Sequence, residues 1–169
     1  QMTFGEFLSN VTEPRVLASF KLSFGTSFFA AFINSIFGFL VAWVLVRYEF
    51  FGKKIIDSLI DLPFALPTAV AGITLATIYS KNGTLGNLFE SIGIRIAYTP
   101  IGIFVALIFI GLPFIVRSVQ PILEDLDRET EEAADSLGAN RLQTFIKIIF
   151  PKTLPALLSG FMLAFARGL

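Results

Sequence analysis

The side chains able to do chemistry in this sequence are few, and their spacing sorts them into three groups. Glu129, Glu131 and Glu132 precede Ala133, Ala134 and Gly138 in the one long polar stretch; Asp57 and Asp61 stand one helical turn apart just ahead of Pro63; and Arg167, Asn34, Thr68, Thr74 and Thr77 are polar positions inside apolar runs. His and Cys are both absent, which removes imidazole bases, thiol nucleophiles, disulfides and the usual zinc and haem ligands. No glycine-rich phosphate loop is present either. Most catalytic chemistry is thereby excluded. The hydrogen-bond donors, carboxylates and cations that remain are suited to binding and docking, and an intramembrane enzyme resting on the acid pair Asp57 and Asp61 is a disfavoured alternative. No catalytic, cofactor-binding or metal-binding residue is assigned.

The elements that must position these groups are apolar. Hydrophobic residues make up 54% of the 169 residues and charged ones 15%, with a mean hydropathy of +0.76, a composition suited to lipid and not to a water-exposed surface. Thirteen basic and thirteen acidic residues cancel, so no net field recruits nucleic acid. The opening stretch, Gln1 to Pro14, lacks the basic and apolar segments of a cleavable leader. It and the apolar run closed by Leu169 both read as cuts within a longer membrane protein, the chain being a single membrane domain, 1–169, with its core from about residue 20.

No charge interrupts Leu22 to Val46, which at ~1.5 Å per residue exceeds the ~30 Å hydrocarbon core and predicts the first transmembrane helix. The second, Leu62 to Tyr79, contains Pro63, Pro67 and Gly72, so its start is expected to be kinked or unwound, an arrangement that survives in a membrane only against protein or a water-filled cavity. Asp57 and Asp61 are expected to cap it. Asn82-Gly83, Gly86 and Gly93 mark a turn and a short amphipathic or re-entrant piece. Thr99 to Val116 is the third span, with Arg117 after it, and Thr153 to the end is the fourth. Gly25, Gly38, Gly102, Gly111 and Gly160 are expected to permit close helix packing. Arg47, Lys53, Lys54, Arg117, Arg128, Arg141, Lys147 and Lys152 fall on one side of these spans, against Arg15, Lys21, Lys81 and Arg95 on the other. The excess puts the first group on the cytoplasmic side or its organellar equivalent.

The polar segment between the third and fourth spans is too long for a tight hairpin. Asp127 can cap a first helix, with Glu129, Glu131 and Glu132 meeting the positive end of its dipole. Gly138 should stop it in a left-handed conformation. Asn140 and Gln143 form a capping-box pattern for a second helix, expected to end at Phe150 before Pro151. Two readings of this helix–turn–helix stay open: a smooth alanine surface that docks into a partner, or a solvated acidic loop.

Glu132-Ala133-Ala134, then Gly138, Ile148 and Phe150-Pro151, resembles the EAA loop of ABC importer permeases, whose pattern is EAA, three residues, G, nine residues, I, one residue, LP. Phe150 replaces the leucine. The runs Pro14 to Ser19, Ala42 to Tyr48, Asp61 to Gly72, Ala97 to Pro100 and Gly160 to Arg167 are similar to the T-type subunits of sulfate/thiosulfate importers. The resemblance implies a type I importer permease: an all-α polytopic bundle, about four of whose spans lie in this chain, with the loop 127–151 on the cytoplasmic side. It implies coupling to an ATPase through Glu132, Ala133, Ala134, Gly138, Ile148 and Pro151. The implied partners are ABC ATPase subunits, which would carry ATP and magnesium, a second homologous permease subunit, and an external sulfate-binding protein. The host membrane would be a bacterial inner membrane or a plastid inner envelope.

An oxyanion crossing such a bundle needs hydrogen-bond donors, helix N-termini and few cations, so that it is bound without being trapped. Asn34, Thr68, Thr74 and Arg167 are the candidates for that path, with Ser23, Thr26 and Thr77 beside them. Each has an ordinary alternative: Arg167 can pair with a carboxylate or snorkel to an interface, and the threonines and Asn34 can bond within the bundle. Sulfate or thiosulfate is the expected substrate, a molybdate or tungstate permease the nearest rival, and a non-transporting membrane scaffold the more distant one.

Overall fold

The computed structural model describes residues 13–126 and 128–169. Asp127, expected to cap the first loop helix, and the side chain of Glu129 lie outside the described residues. Among those residues every regular element is helical: α1 Pro14–Arg47, α2 Lys53–Ile60, α3 Leu62–Ala65, α4 Thr68–Ile78, α5 Thr84–Ser91, α6 Pro100–Glu124, α7 Arg128–Ser136, α8 Arg141–Thr144, a π turn Phe145–Ile149, and α9 Phe150–Gly168. Three stretches are long and apolar enough to cross a membrane, namely α1, α6 and the continuous rod Arg141–Gly168.

The three pack against one another through small residues. Along α1 the buried positions Ser27, Ala30, Ala31, Asn34, Gly38 and Ala42 recur at helical spacing, while Phe29, Phe32 and Phe37 are exposed and Phe28 meets Phe161 and Phe165 of α9 edge-on. Ile115 of α6 is fully buried between two glycines. A Cβ at Gly38 would stand 2.7 Å from the Ile115 Cβ, and one at Gly160 of α9 would stand 3.0 Å from the Ile115 Cα. Dispersion and close backbone approach hold such bundles, since lipid is as apolar as leucine. Gly111 likewise lies against Asn34. Gly25 has open space around it, and Gly102 faces the Ile96 carbonyl at the start of its own helix, so neither mediates packing between spans.

The contacts fix the directions. Ser27 and Gly168 lie beside Leu107, Asn34 beside Gly111, and Gly38 beside Ile115, so α1 and α6 run parallel and α9 antiparallel to both. The chain between Arg47 and Pro100 must therefore return across the membrane. It does so in pieces, with Asp57 and Asp61 near the end of α6 and Leu75 and Tyr79 beside Leu22 and Pro100 at its start. The second span is thus a broken crossing, interrupted near its start as the prolines predict. Leu66 is extended (φ −92°, ψ 133°) because the Pro67 ring clashes with a helical residue before it. Gly72, by contrast, lies inside α4 without breaking it.

Two expected boundaries move. α6 does not stop at Val116 but continues through Arg117 and Pro121 to Glu124, because the Arg117 charge is neutralised laterally by the α2–α3 segment. The second loop helix does not stop before Pro151 but runs on to Gly168. Phe150 N–H bonds the Phe145 carbonyl, five residues back, and the widened π turn relieves the clash that a proline ring makes with the preceding turn of an α-helix. The fourth span accordingly begins inside the polar segment.

Candidate functional site

The loop between α6 and α9 folds as its sequence predicts at both caps. Gly138 has φ +83°, and the Ala139 N–H reaches back to the Ala134 carbonyl at 3.0 Å, a Schellman closure that satisfies the last turn of α7. Asn140 Oδ1 accepts from the Gln143 N–H at 2.8 Å while Gln143 Oε1 accepts from the Asn140 N–H at 2.9 Å. Glu132 and Ala133 are exposed, Ala134 is buried, Ile148 is half-buried within the π turn and Pro151 is exposed in the first turn of α9. The alanine–glutamate face is therefore partly open, and the turn that presents it is rigidly closed.

The loop is also tied down by residues whose pairing sequence reasoning missed. Glu131 forms an ion pair with Arg47, the last residue of α1, and the Arg47 guanidinium lies 5.3 Å above the Trp43 ring. Trp43, Glu131, Glu132, Arg141, Thr144 and Phe145 line a cavity of about 270 Å³ at this junction. The only prior signal was a basic residue at the end of a span, which a charge count spends on topology.

Asp57 and Asp61 do not cap the second span. Neither α2 nor α3 has a side-chain cap bond, because both carboxylates go to Arg117. Nε and Nη2 donate to Asp61 at 2.9 and 2.7 Å, Nη1 donates to Asp57 Oδ1 at 2.7 Å and Gln120 Oε1 at 2.6 Å, and Nη2 also reaches the Asp57 carbonyl at 3.0 Å. All five guanidinium hydrogens thus have acceptors, the planar recognition a lysine cannot supply.

On the other side of the Leu66–Pro67 break, Arg167 Nη2 donates to Thr68 Oγ1 at 3.1 Å. Two of the sequence-predicted path residues, 99 positions apart, therefore meet at the first residue of α4. Both are exposed, as is Thr74 further along α4. Asn34 sits elsewhere, 1% exposed in the α1–α6–α9 core, with Nδ2 donating to the Leu107 carbonyl at 3.4 Å. Thr26 and Thr77 bond carbonyls of their own helices.

Comparison with known proteins matches residues 34–169 to the family described as binding-protein-dependent transport system inner membrane component. The chain belongs to that family. In this family of ABC transporter permeases, the matched region takes in most of α1, the broken crossing, α6, the loop and α9. A probable sulfate transport system permease protein of Chlorokybus atmophyticus is 52% identical over 98% of this chain and 58% of its own length. The sulfate transport system permease proteins of Salmonella typhimurium and Synechocystis are 48% and 50% identical, over 100% and 96% of this chain and 61% and 57% of their own lengths. The chain thus spans about three-fifths of the curated relatives it matches. With three apolar membrane-length helices, this member of the transport family is an integral, multi-pass membrane protein.

Proposed function

We propose that this chain forms the translocation path of an ATP-driven importer for sulfate or thiosulfate and hydrolyses nothing itself. The observation that carries this reading is likeness across nearly the whole chain to proteins named sulfate transport system permeases. ATP and magnesium belong to separate ATPase subunits, docked on the face formed by Glu132 and Ala133, with the buried Ala134 packed beneath it, and presented by Gly138, Ile148 and Pro151. A second homologous permease subunit completes the path, and an external binding protein delivers the anion.

The broken crossing supplies the moving part. Arg117 holds Asp57 and Asp61 ahead of the Leu66–Pro67 break, and Arg167 contacts Thr68 after it. A doubly charged tetrahedral anion reaching this point meets one guanidinium, a hydroxyl and the start of α4, whose free N–H groups favour negative charge. One exposed cation attracts the anion without trapping it. Thr74 offers a second exposed hydroxyl further along α4, on a different face from Thr68, and Asn34 acts from within the core by holding α1 to α6. Swinging of α4 about the break, with the Arg117 side anchored, alternates access between the two faces.

The test is uptake by vesicles containing the full-length subunit, its partners and ATP. Labelled sulfate should accumulate. Accumulation of molybdate that excess sulfate fails to inhibit would instead assign the chain to the molybdate and tungstate branch.

A further inference from the structure

We infer that Arg47 is a positioning residue through which the α7 loop helix is fixed to the end of α1, so that loop movement reaches α1 directly as well as through α9. The coupling role rests on the transport reading above; the positioning stands on geometry alone.

The Arg47 side chain is 12% exposed and that of Glu131 28%, so the pair is largely removed from water. A guanidinium in that setting is strongly destabilising if its carboxylate is removed. Its second neighbour is the Trp43 face at 5.3 Å, where a planar cation stacks well and an ammonium less so. Arg47 also ends α1, where a cation complements the helix dipole.

Trp43 carries the contact onward. Its ring meets Phe145 edge-on at 5.9 Å and stacks with Phe39 at 6.3 Å, and Phe39 meets Phe145 at 5.9 Å. Phe145 is the first residue of the π turn that joins α8 to α9. Glu131, Arg47, Trp43 and Phe145 therefore form one contiguous path from the entering half of the loop, across the end of α1, to its exiting half. A loop held at both halves by the same two turns of α1 moves as one body with that helix. Glu131 is the gripping carboxylate, while the exposed neighbour Glu132 is left free for a partner.

The experiment uses the full-length subunit in its assembly, which in this cysteine-free region accepts spin labels at Leu137→Cys and Phe51→Cys, positions 90% and 104% exposed. The inter-label distance distribution should be narrow in the native protein and broaden in both Arg47→Gln and Glu131→Gln, but not in Glu132→Gln. Uptake per ATP hydrolysed should fall about tenfold in the first two, with the ATPase still co-purifying, as expected when one member of a part-buried charge pair is lost. The exchange Arg47→Glu with Glu131→Arg should recover part of both. Narrow distributions in both single variants, or broadening with an unchanged uptake-to-hydrolysis ratio, would overturn the inference. Should Arg47→Gln fail to insert, Glu131→Gln, which alters only the loop, decides alone. The distances need no transported anion, so absence of sulfate uptake by the native assembly would refute the substrate reading and leave this one standing.

Discussion

Arg117 and Asp61, 56 positions apart, meet in a two-pronged contact, Nε to Oδ1 at 2.9 Å and Nη2 to Oδ2 at 2.7 Å. This fork anchors the broken crossing to α6. Arg117→Lys keeps the charge and loses the planar fit, so the α2–α3 segment should loosen at a cost of about 1 to 2 kcal/mol, reduced from a buried pair because these side chains are part-exposed. Thermal unfolding in detergent reads the loss; an unchanged midpoint would show that α2 and α3 are held by their apolar faces alone.

Directionality gives a second prediction. Because α6 spans the membrane between them, with Tyr79 beside Pro100 at its start, Asn82 before α5 and Asn140 before α8 must lie on opposite sides of the membrane. Single cysteines at these positions should react with an impermeant thiol reagent from opposite faces, with Asn82 outside, following the basic-residue excess on the Arg47 side. Reaction of both from one face would contradict the crossing by α6.

The two glycines of α1 should behave differently. Gly38→Ala drives a methyl group into Ile115, which is fully buried, and overpacking of this kind costs about 1 to 3 kcal/mol. Gly25→Ala meets nothing within 4 Å and should leave stability unchanged or slightly raised. Equal unfolding midpoints for the two variants would mean that the α1–α6 contact does not limit stability.

Arg167→Gln removes the cation beside Thr68 while keeping a hydrogen-bonding side chain. Anion uptake should fall about tenfold or more relative to membrane abundance, since an anion path with one cation depends on it. Parallel losses of uptake and abundance would make Arg167 a structural residue of the α9–α4 contact.

Gly138 lies at φ +83° with open space around it, so the cost of Gly138→Val is conformational and not a clash with neighbours. A penalty of roughly 1 to 2 kcal/mol leaves the spans inserted but reorients α7 against α8. Co-purification of the ATPase and uptake should both drop, and Glu132→Lys should act similarly by reversing charge at the docking face. Native-level association and uptake in both variants would reduce the loop to a solvated connector.

The features legible in the sequence are local ones. Apolar runs longer than the membrane core reveal the crossings, Pro67 breaks the helix through its own ring, and Gly138 and the Asn140–Gln143 pair close helix ends with bonds spanning a few residues. Each depends on backbone sterics or on partners a turn away, so residue type and spacing suffice. The meeting of Arg167 with Thr68, of Arg117 with Asp57 and Asp61, and of Arg47 with Glu131 was decided by tertiary structure alone. A charge in an apolar run declares that it needs a partner, but not which of several distant carboxylates or hydroxyls will supply it. The same reason explains the misplaced boundaries. Arg117 reads as the end of a span until packing brings two carboxylates to its side, and Pro151 reads as a stop until the π turn before it makes room for the ring. Once the bundle supplies that neutralisation and that widened turn, the helices continue through both residues.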